Sequence, residues 1–263
     1  MIVSELNVYP IKSCAPVSLE SVEVEAEGLR SDRRFMVIRP NGDFITARKL
    51  PRMLGVNASM SGSVLTLSTP DSATATLDVS QLPDEYLCVS VWKDTLQGQV
   101  CTPQVDEFLS RWLDTEVRLV HLGPRSERAF RSGGTVSFAD GAPILVTNTA
   151  SLEKLNRHLA NPVSMRRFRP NIVVEGATAF AEHSWVKLRI GEMTFVMERA
   201  CERCVLTTID EYSWQKDPDN EPLRTLRTLN RDADGKINFG HNAVATRPGT
   251  IKVGDKVEVL GDC

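Results

Sequence analysis

The sequence predicts a mainly β protein with a few helices, an α+β chain whose strands close into barrels or sandwiches. Three observations point there. Short β-rich segments recur along the whole length, helical stripes number only three, and the second half holds two strand-turn-strand units shaped like hairpins. In chain order the strands are expected at 2–9, 21–25, 34–38, 64–68, 97–100, 116–121, 144–147, 171–174, 186–190 and 194–198. The 249–260 segment alternates Ile251, Val253, Val257 and Val259 around a Gly254-Asp255 turn, and 185–196 has the same shape. Each is expected to pair on itself and help close a small barrel.

The helices follow from apolar spacing. Val105, Phe108, Leu109, Trp112 and Leu113 share one helical face, with Thr102 as the N-cap and Pro103 in the first turn. Leu152, Leu155 and Leu159 make a second stripe behind Asn148-Thr149, and Leu223, Leu226 and Leu229 a third behind Pro222. All three read as core-facing. A polar stretch over 122–134 follows the strand that ends near His121, so the chain is expected to divide near residue 120. That gives one domain over 1–120 and a second over 121–263.

Composition narrows the function. With 41% hydrophobic and 25% charged residues, 16 Gly and 14 Pro in 263 residues, the chain has the make-up of a folded protein rather than a disordered or collagen-like one. Its 31 Lys and Arg against 34 Asp and Glu leave a net charge of −3, so no global positive field exists to hold nucleic acid. No apolar run approaches the roughly 18 residues of a membrane helix, so no membrane partner is expected. The start alternates like a strand and meets Lys12 early, unlike a secretory signal. Six scattered cysteines do not form a disulfide scaffold, which suits a reducing, cytoplasmic setting.

The most informative motif is Arg199-Ala-Cys201-Glu-Arg-Cys204. Two thiols share a short turn with two guanidinium groups, and nearby positive charge favours thiolate, which suits metal ligation, disulfide exchange or nucleophilic attack. The alternative is two buried small hydrophobes. A structural zinc would need a second C-x-x-C or an H-x₃₋₅-H pair, and a thioredoxin-like dithiol would open a helix, whereas 205–209 reads as another strand. One thiolate holding a soft metal in a β framework fits better. Ser151 and Lys154 have penicillin-binding spacing without its partner motifs, and no phosphate-cradling glycine loop occurs. Tyr9-Pro-Ile-Lys-Ser13, Leu29-Arg-Ser-Asp-Arg-Arg-Phe35, Ile45-Thr-Ala-Arg-Lys49 and Met165-Arg-Arg-Phe-Arg-Pro-Asn171 place cations beside hydroxyls or amides. That mixture would hold a phosphate if the fold brings the clusters together; taken singly, each reads as solvated surface charge.

Eight blocks in order carry a resemblance: Tyr9-Pro-Ile-Lys-Ser13, Asp32-Arg-Arg-Phe35, Phe44-Ile-Thr-Ala-Arg48, Phe138-Ala-Asp-Gly141, Phe168-Arg-Pro-Asn-Ile172, Cys201-Glu-Arg-Cys204 with Thr207-Thr208, Phe239-Gly240 and Pro248-Gly-Thr-Ile-Lys-Val-Gly-Asp255. The chain resembles, almost end to end, MOSC-domain molybdenum proteins of the amidoxime-reducing branch. The resemblance implies an amino-terminal MOSC-type β-barrel followed by a MOSC β-barrel domain. It also implies a molybdenum cofactor, a pyranopterin dithiolene (molybdopterin) bound to molybdenum with one protein cysteine, here Cys204. Lys12, Ser13, Arg33, Arg169, Asn171 and Arg203 match positions that hold the pterin and its phosphate. Asp140 would stand near the metal as a catalytic acid.

Two departures bear on the match. Glu202 stands where relatives often have Ser, and the chain stops after the last strand, where some bacterial relatives carry a ferredoxin domain. No Fe–S cluster is therefore expected in this chain, and electrons are expected from a separate donor protein: a reductase, a ferredoxin-like protein or a haem protein. The implied activity is reduction of small N-hydroxylated compounds. A non-catalytic cofactor carrier and a thiol-disulfide protein using Cys201 and Cys204 are the alternatives.

Overall fold

The computed structural model describes residues 1–262, and it is mainly β with three α-helices, as the strand count led us to expect. Two compact units share the chain. One comprises Met1–Val8, Ser18–Arg30 and the chain from Gly141 onward; the other comprises Tyr9–Val17 and Ser31–Asp140. The chain thus passes between the units several times, because its first strand, Ile2–Val8, pairs with Ile172–Glu175 far along the sequence.

In the first unit an eight-stranded sheet runs in the order Val257–Asp262, Trp185–Ile190, Met193–Glu202, Asn238–Ala245, Ile144–Asn148, Ile172–Glu175, Ile2–Val8, Val17–Leu19. Ile144–Asn148 and Ile172–Glu175 are parallel. A parallel pair cannot be joined by a tight turn, and the connection carries helix α1 (Thr149–Asn156), capped by Asn148, whose side chain accepts from Ala150 N. Helix α2 (Leu223–Leu229) comes later in the chain. Leu155, Met165, Phe168, Val173, Leu226 and Phe239 form the core here, with Phe168 and Phe239 stacked at 3.8 Å between centroids.

The second unit has a four-stranded sheet (Phe35–Ile38, Arg118–His121, Asp94–Val100, Tyr86–Val91) and a three-stranded one (Asn57–Ser61, Val64–Ser68, Thr74–Asp78). Its helix, Pro103–Leu113, starts after Thr102 and buries Val105, Phe108, Leu109, Trp112 and Leu113, the face expected from spacing. Met36, Ile38, Val89, Val91, Leu96, Val120, Leu122 and Phe138 build its core.

Two expectations need correction. The expected strand at 205–209 is a 3₁₀ turn, Val205–Thr208, because the hydroxyls of Thr207 and Thr208 donate back to the carbonyls of Cys204 (3.0 Å) and Val205 (2.8 Å). Such local bonds compete with a strand ladder. The expected hairpin at 249–260 does not pair on itself: Gly249–Lys252 pairs with Ser21–Glu25, and Val257–Asp262 with Trp185–Ile190. Its turn is pinned elsewhere, since Val3 donates to Asp255 O and accepts from Gly254 N, both at 2.9 Å. The 185–196 hairpin forms, with Leu188 opposite Phe195.

Candidate functional site

The two units each gather part of the expected site. In the second, the segment carrying Lys12 lies along the Phe35 strand through an Ile11–Phe35 bridge and a Lys12 N–H bond to Phe35 O (2.8 Å). Ser13 and Arg33 both take left-handed backbone, at φ 68° and 48°, conformations that non-glycine residues adopt sparingly and that collect at functional turns. Lys12 is 3% exposed. Its ammonium donates to Phe138 O at 2.7 Å and ion-pairs with Asp140. Burial pushes Lys12 below the ordinary lysine range against the pull of Asp140, with the charges of Arg128 and Arg33 adding to the downward push.

Arg33 is equally determined. It donates to Asp32 at 2.6 Å and lies 4.2 Å over the Tyr9 ring. The other Asp32 oxygen accepts from Tyr9 N at 2.8 Å, so one buried carboxylate fixes both the cation and the turn beneath it. Asp140, more than half exposed, accepts from Trp92 Nε1 at 3.0 Å. Partial burial works against its ionisation, but Lys12, then the Trp92 bond and Arg48, hold its carboxyl well below the usual range. It stands as a carboxylate, the state that accepts rather than gives a proton. Trp92 and Arg128, not singled out from sequence, complete the group with Arg48 of the Ile45–Lys49 cluster. Arg128 donates to Ser137 O (3.0 Å) and Ala139 O (2.5 Å), bracing the loop that presents Asp140. Arg48 lies 4.5 Å over the Trp92 ring, with its Nε buried and lacking a hydrogen-bond partner.

In the first unit the thiol motif straddles a strand end. Cys201 is the next-to-last residue of the Met193–Glu202 strand, and Cys204 precedes the Val205–Thr208 turn. Both are half-buried free thiols, and Glu202 between them is exposed. Arg203 does not lean on Cys204; it donates to Cys201 Sγ at 2.8 Å and to Phe168 O at 2.7 Å, and its Nε is buried without a partner. Cys204 is held through its backbone, its carbonyl accepting from Thr207 Oγ1 (3.0 Å) and Thr207 N (3.1 Å). Arg199 donates to Gly141 O.

Arg169 is half-buried, with left-handed backbone (φ 57°) directly after the Met165–Phe168 turn. Asn171 is buried, and both ends of its amide serve the sheet: Oδ1 accepts from Leu145 N (3.1 Å) and Nδ2 donates to Asn7 O (3.1 Å). A cleft of about 510 Å³ opens beside Arg167. Its cations are already paired, Arg167 with Asp210 and Glu211, and Arg224 with Asp219 and Glu221, so it offers no spare positive charge to an anion. Among the described residues no group of three or more His, Cys, Asp or Glu side chains is placed to hold a metal ion.

The sequence matches two known families in turn. The family described as "MOSC N-terminal beta barrel domain" matches residues 1–116, and that described as "MOSC domain" matches 133–258. The two matched segments define the MOSC class. Mitochondrial amidoxime-reducing component 1 of Mus musculus is 36% identical over 281 residues, covering 98% of this chain and 82% of that protein. The Xenopus laevis counterpart is 35% identical (97% and 81%), and mitochondrial amidoxime reducing component 2 of Bos taurus 34% (97% and 82%). The chain belongs to the MOSC family of the amidoxime-reducing components.

Proposed function

We propose that this chain is a molybdenum-cofactor-dependent reductase of small N-hydroxylated compounds (hydroxylamines, amidoximes and N-hydroxylated bases), supplied with electrons by a separate donor protein. The observation that carries the reading is 36% identity to an amidoxime-reducing component across 98% of the chain.

The donor set fits the group. A lone cysteine suits a soft metal that arrives with its other donors on an organic carrier. A phosphate-bearing pterin needs buried cations with donors to spare, and the Nε of Arg203 is buried without a partner. In the proposed assignment Cys204 is the metal ligand. Lys12, Ser13, Arg33, Arg169 and Arg203 hold the anionic carrier, and Asn171 fixes the strand behind Arg169. When bound, the cofactor supplies two-electron redox chemistry.

The overall change is R₂N–OH + 2e⁻ + 2H⁺ → R₂NH + H₂O. The N–O bond breaks, the nitrogen is reduced, and oxygen leaves as water. Asp140, held as a carboxylate by Lys12, would orient that ammonium and accept hydrogen bonds from substrate N–H or O–H; the protons come from solvent.

Metal analysis of protein from a molybdenum-replete host, with an amidoxime assay using a strong artificial donor, tests the reading. Molybdenum with turnover supports it. Bound molybdenum without turnover would favour a cofactor carrier, and a reversible Cys201–Cys204 disulfide without molybdenum would favour a dithiol protein. NADH alone should not drive turnover; adding a flavoprotein or haem-protein donor system should. No helix among the described residues is long and apolar enough to cross a membrane.

A further inference from the structure

Trp92 occupies a place where short hairpins ordinarily put glycine or asparagine. Val91 pairs with Asp94, so Trp92 is the first of the two residues turning the Tyr86–Val91/Asp94–Val100 hairpin, and its φ is 57°. For a bulky aromatic that backbone is an outlier, tolerated only where surrounding contacts enforce it. Yet Trp92 buys no core packing: it is 43% exposed.

What enforces the conformation is a set of polar and aromatic contacts around the ring. The indole Nε1 donates to Asp140, which is itself fixed by Lys12. The Arg48 guanidinium lies 4.5 Å over the ring and Lys12 Nζ 6.0 Å from its centroid. Phe44 meets the ring edge-on at 5.0 Å and 67°. The result is an aromatic surface held rigid at little further entropy cost, half open to solvent and next to Lys12. Beside it the buried Arg48 Nε has a hydrogen to give and no acceptor. An apolar side chain would satisfy neither the stacking surface nor that donor; a planar conjugated ring with nitrogen or oxygen acceptors at its edge satisfies both.

Resting on the reductase reading, we propose that Trp92, with Arg48 beside it, selects planar conjugated N-hydroxylated substrates, above all N-hydroxylated bases, by stacking them on the indole. The contacts distinguish such substrates from hydroxylamine, which has no ring to stack.

The test compares N⁶-hydroxyadenine with hydroxylamine on the same preparation of holoprotein and the same artificial donor. Both substrates report on the same loaded fraction, so any loss of cofactor cancels in the ratio of their kcat/KM values. In Trp92→Leu that ratio should fall by roughly tenfold, through a higher KM for the base; Trp92→Phe should keep most of it. Trp92→Gly removes the ring while relieving the left-handed backbone, so it gives the same answer if the leucine variant folds poorly. Calorimetry with unreactive adenine gives a readout free of turnover: wild type and Trp92→Phe should bind it, the glycine and leucine variants about tenfold more weakly. An unchanged ratio, or adenine binding indifferent to Trp92, overturns the proposal while leaving the reductase reading in place. A wild type that reduces neither substrate overturns the reductase reading, and adenine binding still decides whether the indole is a stacking surface.

Discussion

In the unit of Tyr9–Val17 and Ser31–Asp140, charge is held by charge: Lys12 by Asp140, Arg33 by Asp32, Arg128 by Asp94. In the unit from Gly141 onward the thiol turn is held by carbonyls and hydroxyls, with Thr207 on Cys204 O and Arg203 on Phe168 O. The reason is desolvation. A buried cation must have its anion in place before any ligand comes, whereas a thiol needs only a backbone to aim it. Removing an anion of the first group should therefore cost stability by stranding its buried cation, and removing the thiol in the second should disturb only what binds to it.

The largest expected effect is at the thiol. Cys204→Ser should lose molybdenum and fall to background activity with its melting temperature nearly unchanged, whereas Cys201→Ser should keep measurable activity. Its loss of contact with Arg203 should cost about tenfold in metal affinity. Equal abolition by both changes, with a disulfide in the oxidised protein, would break the comparison in favour of a dithiol.

Next come the cations. Lys12→Ala, Arg33→Ala and Arg169→Ala should each lower cofactor occupancy by about 10- to 100-fold, the worth of a charge-assisted hydrogen bond, while circular dichroism shows the fold intact. Unfolding of all three would mean that these charges serve the structure and not a ligand.

Glu182 sharpens the contrast, because it is a buried acid whose named partners are neutral. It is fully buried, takes Ser151 Oγ on both oxygens (2.8 and 2.9 Å) and lies 3.4 Å from Asn148 Nδ2. Burial pushes it up from 4.5 to about 6, against its hydrogen bonds. The folded pKa is above the unfolded one, so the stabilisation is full below pH 4.5 and is lost as pH rises through about 6. The loss amounts to about 2 kcal/mol by pH 7. Denaturant titrations at pH 4.5 and 7 should find that part of the pH dependence missing in Glu182→Gln.

The smallest effect is expected from Asp140→Asn, which strands Lys12. A fully buried pair broken on one side costs about 3–5 kcal/mol. Asp140 is more than half exposed, and solvent screening brings the expectation to about 1–2 kcal/mol. A loss at the upper figure would show that water does not reach the pair.

Strands with one buried face were readable because alternation is a local signal: Ser21–Glu25 buries Val22 and Val24 between exposed neighbours and has the bounds the pattern predicts. Asn238–Ala245 was not, since it buries Asn238, His241 and Asn242 and turns through left-handed Gly240, which erases both polarity and period. The same limit applies to the site. The thiol turn is contiguous and showed itself, and family likeness supplied Lys12 and Arg33. Trp92 meets Asp140 across 48 residues, and Arg128 meets Asp94 across 34; no window of sequence holds either pair.

The Ile2–Val8 strand has a consequence for biosynthesis. Asn7 and Asn171 are bonded across 164 residues, and a ribosome adding about 5–20 residues per second needs roughly 8–30 s to make that interval. For that time the nascent chain displays Leu6 and Val8, buried in the finished protein, on an unpaired strand edge, the kind of surface that draws chaperones or neighbouring chains. Much of the other unit, made of residues 9–140, has emerged by then. A strand made early is therefore among the last to find its partner.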